Sequence, residues 1–189
     1  GIAVVKVDKL YGYIRDNGTV LVDPKYLSVG DFNSGRAPVK VGGKWGFIDN
    51  TGALVIQPIY DEAKTFSEGF AEVRSNDGWF FIDVSGEPIF GQMFNETREF
   101  SEGKAPVRVG EKWGYIDKQG KAIIKPQFDG AEPFSENTAR IKNGDRWGMI
   151  NDAGDILVKP RYDEIGSFTE GMALIVLNYK AGFINTKGE

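Results

Sequence analysis

Three observations predict an all-β fold: an aromatic marker that returns every 34 residues, apolar residues that alternate along short runs, and glycine-bearing turn phrases between those runs.

Phe32, Phe66, Phe100, Phe134 and Phe168 lie 34 residues apart, and each opens a phrase such as Phe66-Ser67-Glu68-Gly69. Thirteen residues later stands Trp45, Trp79, Trp113 or Trp147, with Tyr11 and Ala181 in the terminal repeats. A glycine follows in most repeats, and an isoleucine closes the phrase every time, from Ile14 through Ile48, Ile82, Ile116 and Ile150 to Ile184. Self-similarity at a fixed period marks a repeat architecture, in which each unit needs its neighbours to bury its faces.

A 34-residue period also suits paired helices, so the hydrophobic period has to decide. In Ala37-Pro38-Val39-Lys40-Val41 and Ala105-Pro106-Val107-Arg108-Val109, apolar residues take every second place, as a half-buried strand requires. The prolines and glycines within each repeat would break helices. Ala37 to Val41 is the first strand, Gly42-Gly43 a tight hairpin turn, and Lys44 to Asp49 the second strand. Asp49-Asn50-Thr51-Gly52 and Asp117-Lys118-Gln119-Gly120 have the Asp-first, Gly-fourth form of a type I turn. A third strand, Leu54 to Ile56, is expected to stop at Pro58, and Tyr60-Asp61-Glu62 begins an irregular link to the next marker.

The expected architecture is a tandem array of 34-residue three-stranded antiparallel units forming an open twisted β-solenoid, with a closed β-propeller as the alternative. Six first and six second strands but only five third strands are expected, and a closed ring would want equal numbers. With no long linker, the chain reads as a single repeat domain over 1–189, with units near 1–31, 32–65, 66–99, 100–133, 134–167 and 168–189.

Composition narrows the function. The chain is 41% hydrophobic, 26% charged and 13% aromatic, an ordinary globular balance. Its net charge of −4 argues against nucleic acid, and no apolar run is long enough for membrane insertion through a helix. Gly1-Ile2-Ala3-Val4-Val5 has neither the charged lead nor the cleavage site of a signal peptide. Without cysteine or histidine, the commonest nucleophile, general base and metal ligands are missing, so no metal, cofactor or enzymatic role is expected.

Lys44-Trp45-Gly46-Phe47-Ile48-Asp49 and Lys112-Trp113-Gly114-Tyr115-Ile116-Asp117 resemble the WG repeats of bacterial proteins. The link Pro58-Ile59-Tyr60-Asp61-Glu62-Ala63-Lys64-Thr65-Phe66-Ser67-Glu68-Gly69 is similar to the same family, and the resemblance covers essentially the whole chain. It implies a β-repeat module without known catalytic residues, usually taken to mediate binding, and it implies no particular ligand. The third repeat departs from the pattern: Phe80 replaces the glycine and Gln92 the proline.

Several side chains invite a functional reading. The tryptophans could stack sugars or cations, but a large ring at every period reads better as core. Asp49, Asp83, Asp117, Asn151 and Asn185 suit turn capping better than a hard cation, since asparagine keeps the first role and weakens the second. Glu68, Glu102, Glu136 and Glu170 read as a solvated rim. Lys40, Arg74, Arg108 and Lys142, with Lys6 before them, take the outward place on successive first strands as a cationic ladder for an anionic partner. Phe80 and Phe90, with Met93 and Phe94, add apolar bulk to the third repeat, as packing or as a partner site.

The expected function is therefore a non-enzymatic scaffold or binding module for a protein or glycan partner. A hydrolase using paired carboxylates and a passive spacer between other domains are the alternatives, the first weakened by the lack of any unique acid pair.

Overall fold

A computed structural model describes residues 1–186 and 188–189. Among these residues every regular element is a β-strand, so the expected all-β class and its three-stranded antiparallel units are present. No sheet closes on itself among the described residues.

The chain divides into two compact bodies, Gly1–Met93 and Phe94–Glu189. In the first, β1 (Ile2–Val7), β2 (Leu10–Arg15) and β3 (Val20–Tyr26) form one sheet, and β4 (Arg36–Val41), β5 (Lys44–Asp49) and β6 (Leu54–Tyr60) a second. A third sheet joins β7 (Glu62–Ala63), β8 (Phe70–Ser75) and β9 (Gly78–Asp83). The second body holds a sheet of β10 (Glu96–Thr97), β11 (Lys104–Val109), β12 (Lys112–Asp117) and β13 (Ala122–Phe128). It is followed by β14 (Gly130–Ala131), β15 (Thr138–Asn143), β16 (Arg146–Asn151) and β17 (Ile156–Tyr162), then by β18 (Glu164–Ile165), β19 (Met172–Leu177) and β20 (Lys180–Asn185).

The hairpins follow from turn chemistry. Val41 pairs with Lys44 across Gly42 and Gly43, whose φ values of 58° and 88° give the mirror-image turn that matches strand twist. The Phe-Ser-Glu-Gly corner is a second such turn, with Glu68 at φ 51° and Gly69 at φ 89° between the bridged Ser67 and Phe70. The corner glutamates therefore serve backbone geometry, a role their reading as a plain solvated rim leaves out.

The third strands run further than expected. They pass through Pro24, Pro58, Pro126 and Pro160 to Tyr26, Tyr60, Phe128 and Tyr162, because a proline without an N–H is tolerated on an outermost strand. Their register shifts against the Trp-Gly strand, and the glycine is the reason. A Cβ on Gly46 would lie 2.4 Å from the Ile56 carbonyl oxygen and 2.8 Å from the Pro58 nitrogen. Only a residue without a side chain lets the third strand cross so closely.

The third repeat confirms this by exception. Phe80 stands where the glycine belongs, and β9 is an outermost strand, met by an isolated bridge from Ile82 to Pro88 and by the Ile89 N–H donating to the Phe81 carbonyl at 3.1 Å. Among the described residues four third strands form, where five were expected. The links are also more regular than expected: β7, β10, β14 and β18 each pair with the first strand of the following repeat, as in Glu62 with Arg74.

The core is completed across repeat boundaries. In the first, second and fourth repeats the aromatic two residues after the tryptophan position is buried and meets the next marker phenylalanine edge-on: Tyr13 with Phe32, Phe47 with Phe66 and Tyr115 with Phe134, each at 5.0 Å between ring centroids. Ala37, Val39 and Ile48 beneath them are fully buried. One repeat thus leaves an unfilled face that the next one covers.

Candidate functional site

The outward cation of each first strand lies directly opposite the tryptophan of the second, as Lys40 does Trp45 and Arg74 does Trp79. The ammonium of Lys40 sits 5.7 Å from the Trp45 ring, Arg74 5.9 Å from Trp79 and Lys142 5.8 Å from Trp147. Trp113 is buried beneath the Arg98 guanidinium at 5.2 Å, whereas Trp45, Trp79 and Trp147 are half-buried. The tryptophans are therefore not pure core. They form the rim of it, with one face capped by a cation of the same chain.

The ladder is largely neutralised where it stands. Arg74 pairs with Glu62 and Arg108 with Glu96, in both cases the first residue of the short link strand opposite. Lys142 reaches Asp145 at 3.9 Å, an exposed and weak pair. Lys40 differs: among the described residues no carboxylate pairs with it. Its opposing link position is Ser28, where the third and fourth repeats have Glu62 and Glu96.

The link acids ahead of those glutamates have a structural task of their own. Asp61 pairs with Lys44, Asp129 with Lys112 and Asp163 with Arg146, seventeen residues apart in each case. Asp129 also accepts the turn N–H of Gly144 at 2.7 Å, and Asp163 that of Asn178 at 2.6 Å. Asn95 does the same for Gly110 at 2.8 Å. One acid thus clasps the second strand of its own repeat to the hairpin of the next. The hydrogen bonds from Lys44 and Lys112 hold the Asp61 and Asp129 carboxyls below the usual carboxylate range.

The expected turn role of the other aspartates is present. Asp49 Oδ1 accepts the N–H groups of Thr51 and Ala53 at 2.8 and 3.1 Å and the Thr51 hydroxyl at 2.6 Å. Asn151 accepts the equivalent pair from Ala153 and Asp155 at 3.1 and 2.8 Å. Among the described residues no three acids gather as a metal site would require. Burial, with smaller contributions from Tyr26 and the Asp31 carboxylate nearby, pushes the Tyr13 phenol up, and its hydroxyl donates to the Gly30 carbonyl at 2.7 Å.

Two hollows mark where the pattern breaks. In the third repeat Phe80, Phe81, Pro88, Phe90 and Met93 line an apolar cavity of about 170 Å³, with Met93 53% exposed. Phe80 itself packs edge-on against Tyr60 at 6.0 Å, and Phe90 tilts against Phe70 and Phe81. Phe80 and Phe90 thus both pack and line a cavity. In the first link Lys25, Tyr26, Leu27, Lys40, Val41 and Leu54 surround a hollow of about 440 Å³. The sequence reading missed this second place, although a signal was there: positions 27, 61, 95, 129 and 163 read Leu, Asp, Asn, Asp, Asp.

Comparison with known proteins agrees with the repeat. The model of the WG containing repeat matches residues 11–45, 45–79, 79–113, 113–147 and 147–180. No curated protein matches the chain. Among solved structures, a eukaryotic initiation factor has a TM-score of 0.60 at 11% identity, over 98% of this chain and 61% of that one. Hsv2 of Kluyveromyces lactis has a TM-score of 0.58 at 9% identity, over 97% of this chain and 69% of that one. At such identities the likeness concerns the fold alone.

Proposed function

The chain belongs to the WG containing repeat family, and from that premise we propose that it is a non-enzymatic module that binds other proteins through the places where its repeats differ. One observation carries this reading. The repeated acids and most of the repeated cations are engaged within the chain, in turns, clasps and ion pairs, while the hollows of the first link and third repeat stay open. Enclosed, mainly apolar hollows with a few polar groups are where proteins take ligands. Acid–base catalysis needs two carboxylates held in unlike environments, and acids copied in every repeat offer no such pair.

The test is to probe peptide and glycan arrays with the purified chain. Peptides should be retained, and the double variant Arg74→Gln with Arg108→Gln should keep them, since those cations are already matched by Glu62 and Glu96. Retention of glycans alone, or product released from aryl glycosides, would overturn the proposal. Loss of all peptides in the double variant would return the ladder as the binding surface.

A further inference from the structure

The first link carries no acid at two positions where every later link has at least one, as in Asp61-Glu62, Asn95-Glu96, Asp129-Gly130 and Asp163-Glu164. Leu27 takes the position of Asp61, Asp129 and Asp163, and Ser28 that of Glu62 and Glu96. Leu10 likewise takes the position of Lys44. An ion-paired clasp has been replaced by apolar side chains, with Leu27 66% exposed. The groups that these two acids satisfy elsewhere remain, the turn N–H met by Asp129 and the first-strand cation met by Glu62 and Glu96. Lys40 has no carboxylate partner among the described residues, and the Gly42 N–H has no acceptor, although its counterparts Gly110 and Gly144 donate to Asn95 and Asp129. Lys25, stacked over Tyr26 at 5.3 Å, adds a second cation at the edge of the hollow.

We propose that this hollow docks an extended acidic segment of another protein, one that carries an aspartate or glutamate beside a large apolar side chain. The carboxylate would supply what the later links hold internally, accepting from the Gly42 N–H and pairing with Lys40. Its apolar neighbour would cover Leu27, Val41 and Leu54, which are 66%, 40% and 38% exposed. The chain itself thus points to the chemistry of its occupant, because Asp61, Asp129 and Asp163 fill the same place in the second, fourth and fifth links and the amide Asn95 fills it in the third. Charge and a turn N–H together favour a carboxylate over a neutral amide, since a hydrogen bond to an ionised group is about twice as strong.

The proposal rests on the binding reading above and can fail without it. The capped, fluorescein-labelled peptide Ser-Leu-Asp-Glu-Leu-Ser, its amide counterpart Ser-Leu-Asn-Gln-Leu-Ser and vesicles containing phosphatidylglycerol are titrated into the full chain at low salt, with anisotropy or sedimentation as readout. The acidic peptide should bind about tenfold or more tighter than the amide one, and Lys40→Gln should remove about that factor. Leu27→Asp with Ser28→Glu should abolish binding while leaving the melting temperature equal or higher, because the acid at position 27 would accept from the Gly42 N–H and the acid at position 28 would pair with Lys40, within the chain. Equal binding of the amide peptide, undiminished binding by Lys40→Gln or by the double variant, or binding to vesicles without the peptide would each overturn the proposal. Peptides retained on the array with no dependence on Lys40 would remove this docking site and leave the broader function standing.

Discussion

The second repeat carries Gly46 where the third carries Phe80, and their neighbourhoods differ accordingly. Beside Gly46 the strand β6 crosses at 2.4 Å from where a Cβ would stand, and Phe47 and Ile56 are buried under it. Beside Phe80 no third strand forms, and the released segment around Pro88 and Phe90 encloses a cavity of about 170 Å³. One hydrogen atom in place of a side chain closes a repeat, and a phenyl ring in the same place leaves it open. Regularity therefore builds the fold, and its local failure creates a surface with something to offer a partner.

The largest expected effect compares the two cores. Phe47 is fully buried against Phe66, so Phe47→Ala should cost about 4–5 kcal/mol, toward the top of the range for buried aromatics. Phe81→Ala, next to the existing cavity and against the Phe90 ring at 6.1 Å, should cost about 3 kcal/mol because the space beside it lets the site collapse. Urea unfolding of both variants measures the difference. Equal costs would mean that the third repeat is as tightly packed as the second and that its cavity gives no slack.

A smaller effect tests the glycine directly. Gly46→Ala forces a Cβ against the Ile56 carbonyl and should cost about 2–3 kcal/mol, with faster amide exchange along β6. Gly182→Ala is the internal comparison: among the described residues its Cβ would meet nothing closer than Ile175 at 3.8 Å. That change should be neutral within about 0.5 kcal/mol, as is usual for substitutions that touch nothing. A neutral Gly46→Ala would show that the third strand does not depend on the close crossing.

These contrasts also show what sequence reading can reach. Alternation in Ala37-Pro38-Val39-Lys40-Val41, the Gly42-Gly43 turn and the Asp49 turn are local signals, and each appears in the structure as read. The extent of β6 was not legible, because Pro58 looks like a stop until the outermost place of its strand is known. The short strands such as Glu62–Ala63 were missed for the same reason: their pairing partner, β8, is supplied by the following repeat. Lys40 and Arg74 look alike in sequence, and only the link acid opposite Arg74, absent at Ser28, separates an ion-paired cation from an available one. Phe80 was recognised as a departure, yet its consequence lay in the path of a strand that fails to form.

The smallest expected effect compares the second repeat with the fifth, whose turns open on Asp49 and Asn151. Both side chains accept the same two backbone N–H groups, but only Asp49 carries charge, and the Thr51 hydroxyl and N–H hold its carboxyl below the usual range. A carboxyl depressed in the folded state adds stability that is complete above its unfolded pKa of about 3.9 and is lost as pH falls through the lower folded value. Asp49→Asn should therefore lower the melting temperature slightly at about pH 7, and the gap to the parent protein should close by about pH 2. Thermal unfolding at both pH values reads this out. A gap that persists in acid would mean that the aspartate acts through shape alone, and that the second and fifth turns are held by the same uncharged hydrogen bonds.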